Sequence, residues 1–220
     1  MKALPNVKQY TVKEIFGPTI QGEGSLTGEV TLFVRFAGCN MWNGKPEDRE
    51  ASRCPFCDTD FFGGDKMDAQ QIVDRLNDLK PYDGCWVTLS GGEPLLQVDV
   101  GLLRLLKDAG FLVAIETNGT KALTAEMRDL INQVTCSPKV PANEVKLQDF
   151  LVDDLKVLYP HPNPAITPES FMAFGSARYL QPVNDIDDIN TENLTKCLNK
   201  LMTLPKWKIS IQSHKVMGVA

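Results

Sequence analysis

The stretch "CWVTLSGGEPLLQVDVGLLRLLKDAGFLVAIETNGT", residues 85–120, contains the pattern that decides the fold. Two of its segments, CWVTLS and FLVAIET, are rich in apolar and β-branched residues and predict strands. Between them, LLRLLKDAG has leucines at helical spacing and closes with Gly110, a residue that favours the end of a helix. A strand, a helix and a second strand in this order predict a parallel β/α unit.

The same pattern extends to both sides of this stretch. Further strands are predicted at TLFVRFAG, QVTCSP, FLVDDLKVLY, ARYLQPV and WKISIQSH. One further helix is predicted in MDAQQIVDRLNDLK, with a shared apolar face of Ile72, Val73, Leu76 and Leu79. Another is predicted in TENLTKCLNKLMTL, with Thr191 as its cap and Leu194, Leu198 and Leu201 at helical spacing.

The length of the chain limits how far this architecture can close. Eight complete β/α units take about 250 residues, whereas this chain has 220 residues and seven predicted strands. The sequence therefore predicts an α/β fold, a partial (open) parallel β/α barrel. We expect one domain over residues 1–220, because no break in composition suggests a second core.

The composition restricts the possible partners. A hydrophobic content of 43% with 23% charged residues excludes a mostly disordered chain. A net charge of -5 offers no positive excess for a nucleic-acid backbone. The first residues lack the apolar run of a signal peptide, and no stretch reaches membrane-spanning length. We therefore expect a cytoplasmic protein with a small-molecule partner, which binds neither nucleic acid nor membrane.

The segment "GCNMWNGKPEDREASRCPFCDTDF", residues 38–61, gathers the cysteines Cys39, Cys54 and Cys57. Cytosolic thiols stay reduced and are available to metals. A closed zinc site takes four ligands, whereas an iron-sulfur cube can be held by three thiolates with its fourth iron open. The loop alone leaves both alternatives equal. The remaining cysteines lie in apolar segments and are expected to be buried: Cys85, Cys136 and Cys197.

A second motif, "LSGGEP" at residues 89–94, follows a predicted strand. Its two glycines let a ligand approach the backbone, and Glu93 adds an acceptor for a cation such as an ammonium group. By itself the motif also fits an ordinary turn. However, AGCN, SGGEP and ETNGT each follow one of three predicted strands, and ligands of parallel β/α folds bind at such carboxyl ends. Their common position favours an iron-sulfur cluster over zinc.

These motifs resemble the radical S-adenosylmethionine (SAM) superfamily, in which the open iron is chelated by the methionine part of SAM. Within it, the chain resembles the 7-carboxy-7-deazaguanine synthases, whose members tolerate an expanded cluster loop. Here fourteen residues separate Cys39 from Cys54, which is more than the superfamily's common spacing. The motifs that carry the narrower resemblance follow in family order: IQGEG (20–24), VRFAGCN (34–40), CPFCDTDF (54–61), SGGEP (90–94), IETNGT (115–120), CSPK (136–139), LQPVN (180–184) and IQSHK (211–215).

The resemblance implies a full set of site residues. A 4Fe-4S cluster is expected on Cys39, Cys54 and Cys57, and Mg²⁺ at Thr59. Contacts with SAM are expected from Phe56, Cys57, Asp58, Gly92, Glu93, Glu116, Ser137, Pro138, Lys139, Gln181, Pro182, Val183 and Asn184. Contacts with the substrate are expected from Ile20, Gln21, Gly22, Arg35, Ser90 and the terminal carboxylate of Ala220. Arg35 suits a carboxylate substrate, because a guanidinium binds that group through two hydrogen bonds.

The implied activity is that of a radical SAM lyase. It converts 6-carboxy-5,6,7,8-tetrahydropterin to 7-carboxy-7-deazaguanine in queuosine-type 7-deazapurine biosynthesis, by hydrogen abstraction at C6, ring contraction and loss of ammonia. An electron donor such as flavodoxin and a homodimer are implied as well. One alternative is another radical SAM activity, such as a glycyl-radical activase, which explains the cluster but neither IQGEG nor Arg35. The alternative from another class is a zinc-stabilised binding module.

Overall fold

The computed structural model describes residues 7–148, 151–175 and 177–219. Within them it contains the nine strands β1 (Tyr10–Ile20), β2 (Val30–Phe36), β3 (Asp65–Met67), β4 (Trp86–Gly91), β5 (Leu112–Thr117), β6 (Gln133–Cys136), β7 (Asp154–Tyr159), β8 (Ala177–Pro182) and β9 (Trp207–Ile209). The α-helices of the same residues are α1 (Ala69–Leu79), α2 (Val100–Asp108), α3 (Ala125–Leu130), α4 (Thr191–Leu201) and α5 (Ser213–Met217). Every helix of this part of the chain is too short or too polar to span a bilayer.

All nine strands belong to one sheet in the order β3-β1-β2-β4-β5-β6-β7-β8-β9. The strands from β2 through β4 to β9 are mutually parallel, and they are the seven strands that the sequence predicts. Strands β1 and β3, which were not predicted, extend the β2 edge in antiparallel pairing. In the described residues the outer strands β3 and β9 do not pair with each other. The α/β prediction of an open parallel β/α barrel is confirmed; the single domain over residues 1–220 stays a prediction.

The helices cover the outer face of the sheet where the sequence predicts them. Helix α1 begins at the capping box of Asp68 and Gln71, and helix α2 ends just before Gly110, which has a φ of 85°. The apolar face of α1 is confirmed as buried at Ile72, Val73 and Leu76. Cys85, Cys136 and Cys197 are fully buried, as predicted.

Helix α4 differs from its prediction in two details. Its cap is Asn190, whose side chain accepts a hydrogen bond from the backbone N–H of Asn193. Thr191 is therefore the first helical residue and not the cap. Leu198 is 41% exposed, because the helix turns Cys197 into the core instead.

Alternation along the strands separates an apolar outer face from a polar inner face. On β7, Leu155 and Val157 are fully buried in the main hydrophobic core, whereas Asp154 and Lys156 point into the barrel. Strand β2 repeats this pattern, since Val34 is in the core and Arg35 lines the inner cavity. Successive side chains of a strand point to opposite faces, so each strand supplies both the core and the site.

The segment between β1 and β2 closes the barrel at the amino end of the parallel strands. Asp154 is the first residue of β7, and its carboxylate accepts hydrogen bonds from Ser25 N (2.8 Å) and Ser25 Oγ (2.6 Å). The backbone N–H of Gly24 donates to Ser210 Oγ at 3.1 Å. These contacts hold the IQGEG segment across the barrel as a floor that runs from the first residue of β7 to the segment after β9.

We predict that Asp154→Ala destabilises the fold through this floor. The substitution removes the hydrogen bonds that the buried Asp154 carboxylate accepts from Ser25, a loss of about 1.5–3 kcal/mol in the free energy of unfolding, as for other hydrogen bonds to a charged group. Urea unfolding of the iron-free protein measures it. Asp78→Ala, at an exposed position of α1, is the matched control and should change stability by less than about 0.5 kcal/mol. Equal stabilities of the two variants would contradict the role of Asp154.

Candidate active site

A cavity of about 620 Å³ occupies the inside of the open barrel. Its lining brings together residues from β1 to the segment after β9. The predicted site residues that line it are Ile20, Gln21, Gly22, Arg35, Cys39, Cys54, Phe56, Cys57, Asp58, Thr59, Ser90, Gly92, Glu116, Ser137, Lys139, Gln181, Pro182, Val183 and Asn184. Two predicted residues, Glu93 and Pro138, are not in the lining. Ala220 lies outside the described residues.

Three loops after successive parallel strands meet at the carboxyl end of this cavity. The backbone N–H of Glu93 donates to the carbonyl of Gly38 at 3.0 Å, which joins the GGEP loop to the loop after β2. The side-chain amide of Asn118, after β5, donates to Asn40 Oδ1 at 3.1 Å. Gly92 is required at its position, since a Cβ there would lie 2.0 Å from the carbonyl oxygen of Gly38. The predicted convergence of the three loops is therefore present.

The cysteine thiols lie in an apolar part of the cavity wall. Cys39, Cys54 and Cys57 are all free, and Met41, Phe56, Val140 and Val145 pack with them. Burial raises the pKa of the Cys54 thiol to about 11, although the positive charge of Lys139 opposes that shift. Burial also raises the pKa values of Cys39 and Cys57. Binding to a metal must therefore displace the thiol protons.

The number of thiols that reach the cavity agrees with a cluster. A closed zinc site takes four ligands, whereas three thiolates can hold an iron-sulfur cube whose fourth iron stays open. Cys39, Cys54 and Cys57 all line the one cavity, so its wall can receive such a cube.

Glu93 has a different environment from the one its motif suggests. Its side chain is fully buried, and its carboxylate accepts hydrogen bonds from Leu95 N, Thr117 Oγ1 and Asn118 N at 2.7 to 3.0 Å. Burial raises the pKa of Glu93, against the effect of these donors. The carboxylate thus fastens the loop after β4 to the end of β5 instead of facing the cavity. Pro138 is buried and is not among the residues that line the cavity, whereas its neighbours Ser137 and Lys139 are.

Lys139 brings a positive charge to the thiol end of the cavity. Its ammonium donates to the carbonyl and the hydroxyl of Ser137, at 2.9 and 2.6 Å. Burial lowers the pKa of Lys139, while the nearby thiols Cys54 and Cys57 act to raise it. This end of the cavity can therefore receive a group that carries negative charge.

The part of the cavity wall that β1, β2, β4 and β5 form contains a second set of polar groups. Arg35 Nε donates to Glu14 Oε1 at 2.6 Å, and its guanidinium carbon lies 5.4 Å from the centroid of the Phe16 ring. Glu116 accepts hydrogen bonds from Gln21 Nε2 (3.3 Å) and Ser90 Oγ (3.1 Å). The structure thus groups Glu116 with two residues predicted for the substrate, and not with the thiols.

Glu23 and Lys156, which the sequence analysis does not assign, form a buried ion pair at the bottom of the cavity. Burial alone would raise the pKa of Glu23, but the charge of Lys156 outweighs it and lowers that pKa to about 2. Burial alone would lower the pKa of Lys156, but the charges of Glu23 and Glu116 raise it. Both groups are therefore charged. Alternation in DLKVLY places Lys156 on the same face as Asp154 and is the signal that could have found it.

The segment after β9 ties this ion pair to the cysteine loop. Gln212 Nε2 donates to Glu23 Oε1 at 2.9 Å and to Asp58 Oδ2 at 3.0 Å. Lys215 Nζ donates to the same Asp58 oxygen at 3.0 Å. His214 packs against Gly22, where a Cβ would approach its Nδ1 to 2.1 Å. Asp58 is thus held by the chain itself beside the third predicted cluster ligand.

An open parallel barrel with three thiols and a glycine-rich loop at its carboxyl end is the arrangement of a radical SAM enzyme. A sequence model of the Radical SAM superfamily matches residues 51–154. The chain is 37% identical to 7-carboxy-7-deazaguanine synthase of Bradyrhizobium diazoefficiens, over 96% of this chain and 99% of that protein. It is 36% identical to the synthase of Bordetella pertussis with the same coverage. The chain therefore belongs to the 7-carboxy-7-deazaguanine synthase family.

A solved structure supports the fold. The crystal structure of QueE from Escherichia coli superposes with a TM-score of 0.66 at 22% identity, over 93% of this chain and 94% of that one. At this identity the likeness concerns the fold alone. It agrees with the open barrel described above.

We predict that Gly92→Ala impairs metal loading without unfolding the protein. The added Cβ would meet backbone and Cys39 Cβ, at 2.0 Å and 3.0 Å, so the loops after β2 and β4 must separate. Iron and sulfide per chain after anaerobic reconstitution should fall by at least about half. Gly101→Ala in α2, whose Cβ meets only the Asp99 carboxylate at 3.3 Å, is the control. Equal iron contents would show that the close approach of the loops is dispensable.

We predict that Glu23→Gln destabilises the folded protein, because it leaves the buried ammonium of Lys156 without its counter-charge. The free energy of unfolding should fall by about 3 kcal/mol, and the double variant Glu23→Gln/Lys156→Met should recover part of the loss. Glu192→Gln, in the exposed pair with Lys196, should cost less than about 0.5 kcal/mol. Urea unfolding of the wild type, Glu23→Gln, Lys156→Met and the double variant gives the coupling, and strict additivity of the two single substitutions would contradict it.

Proposed function

We propose that this protein is a 7-carboxy-7-deazaguanine synthase, a radical SAM lyase that converts 6-carboxy-5,6,7,8-tetrahydropterin to 7-carboxy-7-deazaguanine in 7-deazapurine biosynthesis. The observation that carries the proposal is that one cavity is lined by the three thiols together with the Arg35 guanidinium and the Glu116 carboxylate. The near full-length likeness to synthases of this name supports it. A glycyl-radical activase would leave the IQGEG segment and Arg35 without a role, and a closed zinc site would need a fourth ligand beside the three cysteines.

In this proposal Cys39, Cys54 and Cys57 hold the 4Fe-4S cluster. When bound, the cluster supplies the electron that cleaves SAM to a 5'-deoxyadenosyl radical. The chain contributes the orientation of SAM. Since the carboxylate of Glu93 is occupied by three protein donors, we assign the ammonium group of SAM to main-chain oxygens of the glycine loop. Lys139 and Gln181 remain proposed contacts of SAM, with the other predicted residues of the cavity wall.

The substrate end of the cavity is proposed to bind the carboxypterin. Arg35 binds its carboxylate, because the contact with Glu14 uses Nε and the guanidinium offers further donors. Glu116, held by Gln21 and Ser90, accepts hydrogen bonds from the N–H groups of the pterin ring. Thr59, in the cavity wall, supplies a hydroxyl oxygen to Mg²⁺, a cation that prefers oxygen ligands.

The proposal includes three finer points that follow from the family resemblance. The electron donor is a small redox protein such as flavodoxin, the protein is a homodimer, and it works in the cytoplasm. Light scattering of the purified protein tests the dimer. Reduction of the cluster by flavodoxin in place of dithionite tests the donor.

The decisive experiment is an anaerobic incubation of the reconstituted protein with SAM, dithionite and 6-carboxy-5,6,7,8-tetrahydropterin. Mass analysis should detect 7-carboxy-7-deazaguanine and released ammonia. Formation of 5'-deoxyadenosine without any change of the pterin would retain the radical SAM class and remove the proposed substrate.

We predict that Cys54→Ala yields a protein without the broad visible absorption of an iron-sulfur cluster and without product. The reason is that two thiolates cannot hold three irons of the cube. Cys197→Ala is the control, because Cys197 is buried in α4 away from the cavity. Full iron content and turnover in Cys54→Ala would end the assignment.

A further inference from the structure

The fourteen residues between Cys39 and Cys54 are anchored to the rest of the cysteine loop by Trp42. Trp42 is only 6% exposed, and its Nε1 donates to the carbonyl of Lys45 at 3.2 Å. Its ring meets the ring of Phe61 edge-on, with centroids 5.4 Å apart. Asn43 Oδ1 accepts the backbone N–H of Lys45 at 2.9 Å, which closes the turn. Trp42 is thus a fixed platform inside the loop.

Arg49 connects this platform to the pair of cysteines that ends the loop. Its guanidinium carbon lies 4.4 Å from the centroid of the Trp42 ring. Its Nη1 donates to the carbonyl of Cys57 at 2.5 Å and lies 3.4 Å from the carbonyl of Pro55. The backbone N–H of Cys57 in turn donates to the carbonyl of Cys54 at 3.1 Å. The Arg49 guanidinium therefore holds the turn that carries the Cys54 and Cys57 thiols.

The chemistry of this contact favours arginine. A planar guanidinium can stack face to face on an indole ring and donate to carbonyl oxygens in its own plane, whereas an ammonium has no planar face to stack. Hydrogen bonds from a charged donor are stronger than neutral ones. The contact is made by groups of the chain alone, so it can order the turn that carries Cys54 and Cys57.

We propose that Arg49 is a positioning residue for the metal cluster: stacked on Trp42, it fixes the Cys54–Cys57 turn in the geometry that accepts the cluster. This inference rests on the cluster of the proposed function. It assigns to the expanded loop the task of presenting two thiols in a preformed turn. Arg49 itself does not touch the cavity.

The test is the rate at which anaerobically reconstituted protein loses iron to a chelator. Arg49→Ala should release iron about ten-fold faster, the factor that corresponds to the loss of one charged hydrogen bond. Arg49→Lys keeps the charge but loses the planar guanidinium that stacks on Trp42. Its rate of iron loss should lie between those of the wild type and Arg49→Ala. Arg53→Ala is the matched control: it removes the same charge from the same loop, at an exposed position beside a different cavity, and should release iron at the wild-type rate.

A second readout separates positioning from a general loss of stability. The electron paramagnetic resonance spectrum of the reduced cluster, with and without SAM, should change in both Arg49 variants and stay unchanged in Arg53→Ala. Wild-type rates and spectra in Arg49→Ala would overturn the inference while leaving the proposed function intact. If Arg49→Ala fails to fold without iron, the iron-loss rate and the spectrum of Arg49→Lys decide instead, and wild-type values there would overturn the inference. If the wild-type protein takes up no iron, both the inference and the proposed function are wrong.

Discussion

Seven parallel strands can serve as core and as active site at once because the side chains of a strand alternate between two faces. In this protein the outward positions are apolar and carry the helices, while the inward positions are polar and carry the chemistry. Leu155 and Lys156 illustrate the division, since adjacent residues of β7 lie in the hydrophobic core and in the cavity wall. The carboxyl ends of the same strands lie at one edge, so the loops that follow β2, β4 and β5 meet there.

A polar interior is stable only where its charges and hydrogen-bonding groups have partners. The IQGEG segment provides several of them. Glu23 neutralises Lys156, and Ser25 satisfies Asp154. The floor of the barrel is therefore both a structural closure and a wall of the cavity. Because the IQGEG segment between β1 and β2 both closes the barrel and lines the cavity, it carries many polar residues.

The sequence allows the parallel strands, three helices and the thiol cluster to be predicted, because each has a repeated or local pattern. Strand β1 escapes prediction since Gly17 and Pro18 lie inside it, and a proline argues against a strand interior. The cap of α4 shifts from Thr191 to Asn190, as both residue types accept the same hydrogen bond. For Glu93 the sequence cannot tell whether a carboxylate faces a ligand or the protein's own donors. That distinction depends on Thr117 and Asn118, which only the fold brings near.

The long cysteine loop can be ordered because burial of apolar side chains opposes the entropic cost of closing it. Doubling the length of a flexible loop raises the entropic cost of closing it by only about 0.6 kcal/mol, and burial of a large apolar side chain contributes about 1.5–3 kcal/mol. Trp42 is only 6% exposed, so its packing offsets part of the cost of the added length. The superfamily match begins at residue 51, inside the loop and close to the second cysteine. The inserted residues therefore change the path between the first two thiols, while the folded loop returns Cys54 and Cys57 to the same cavity wall as Cys39.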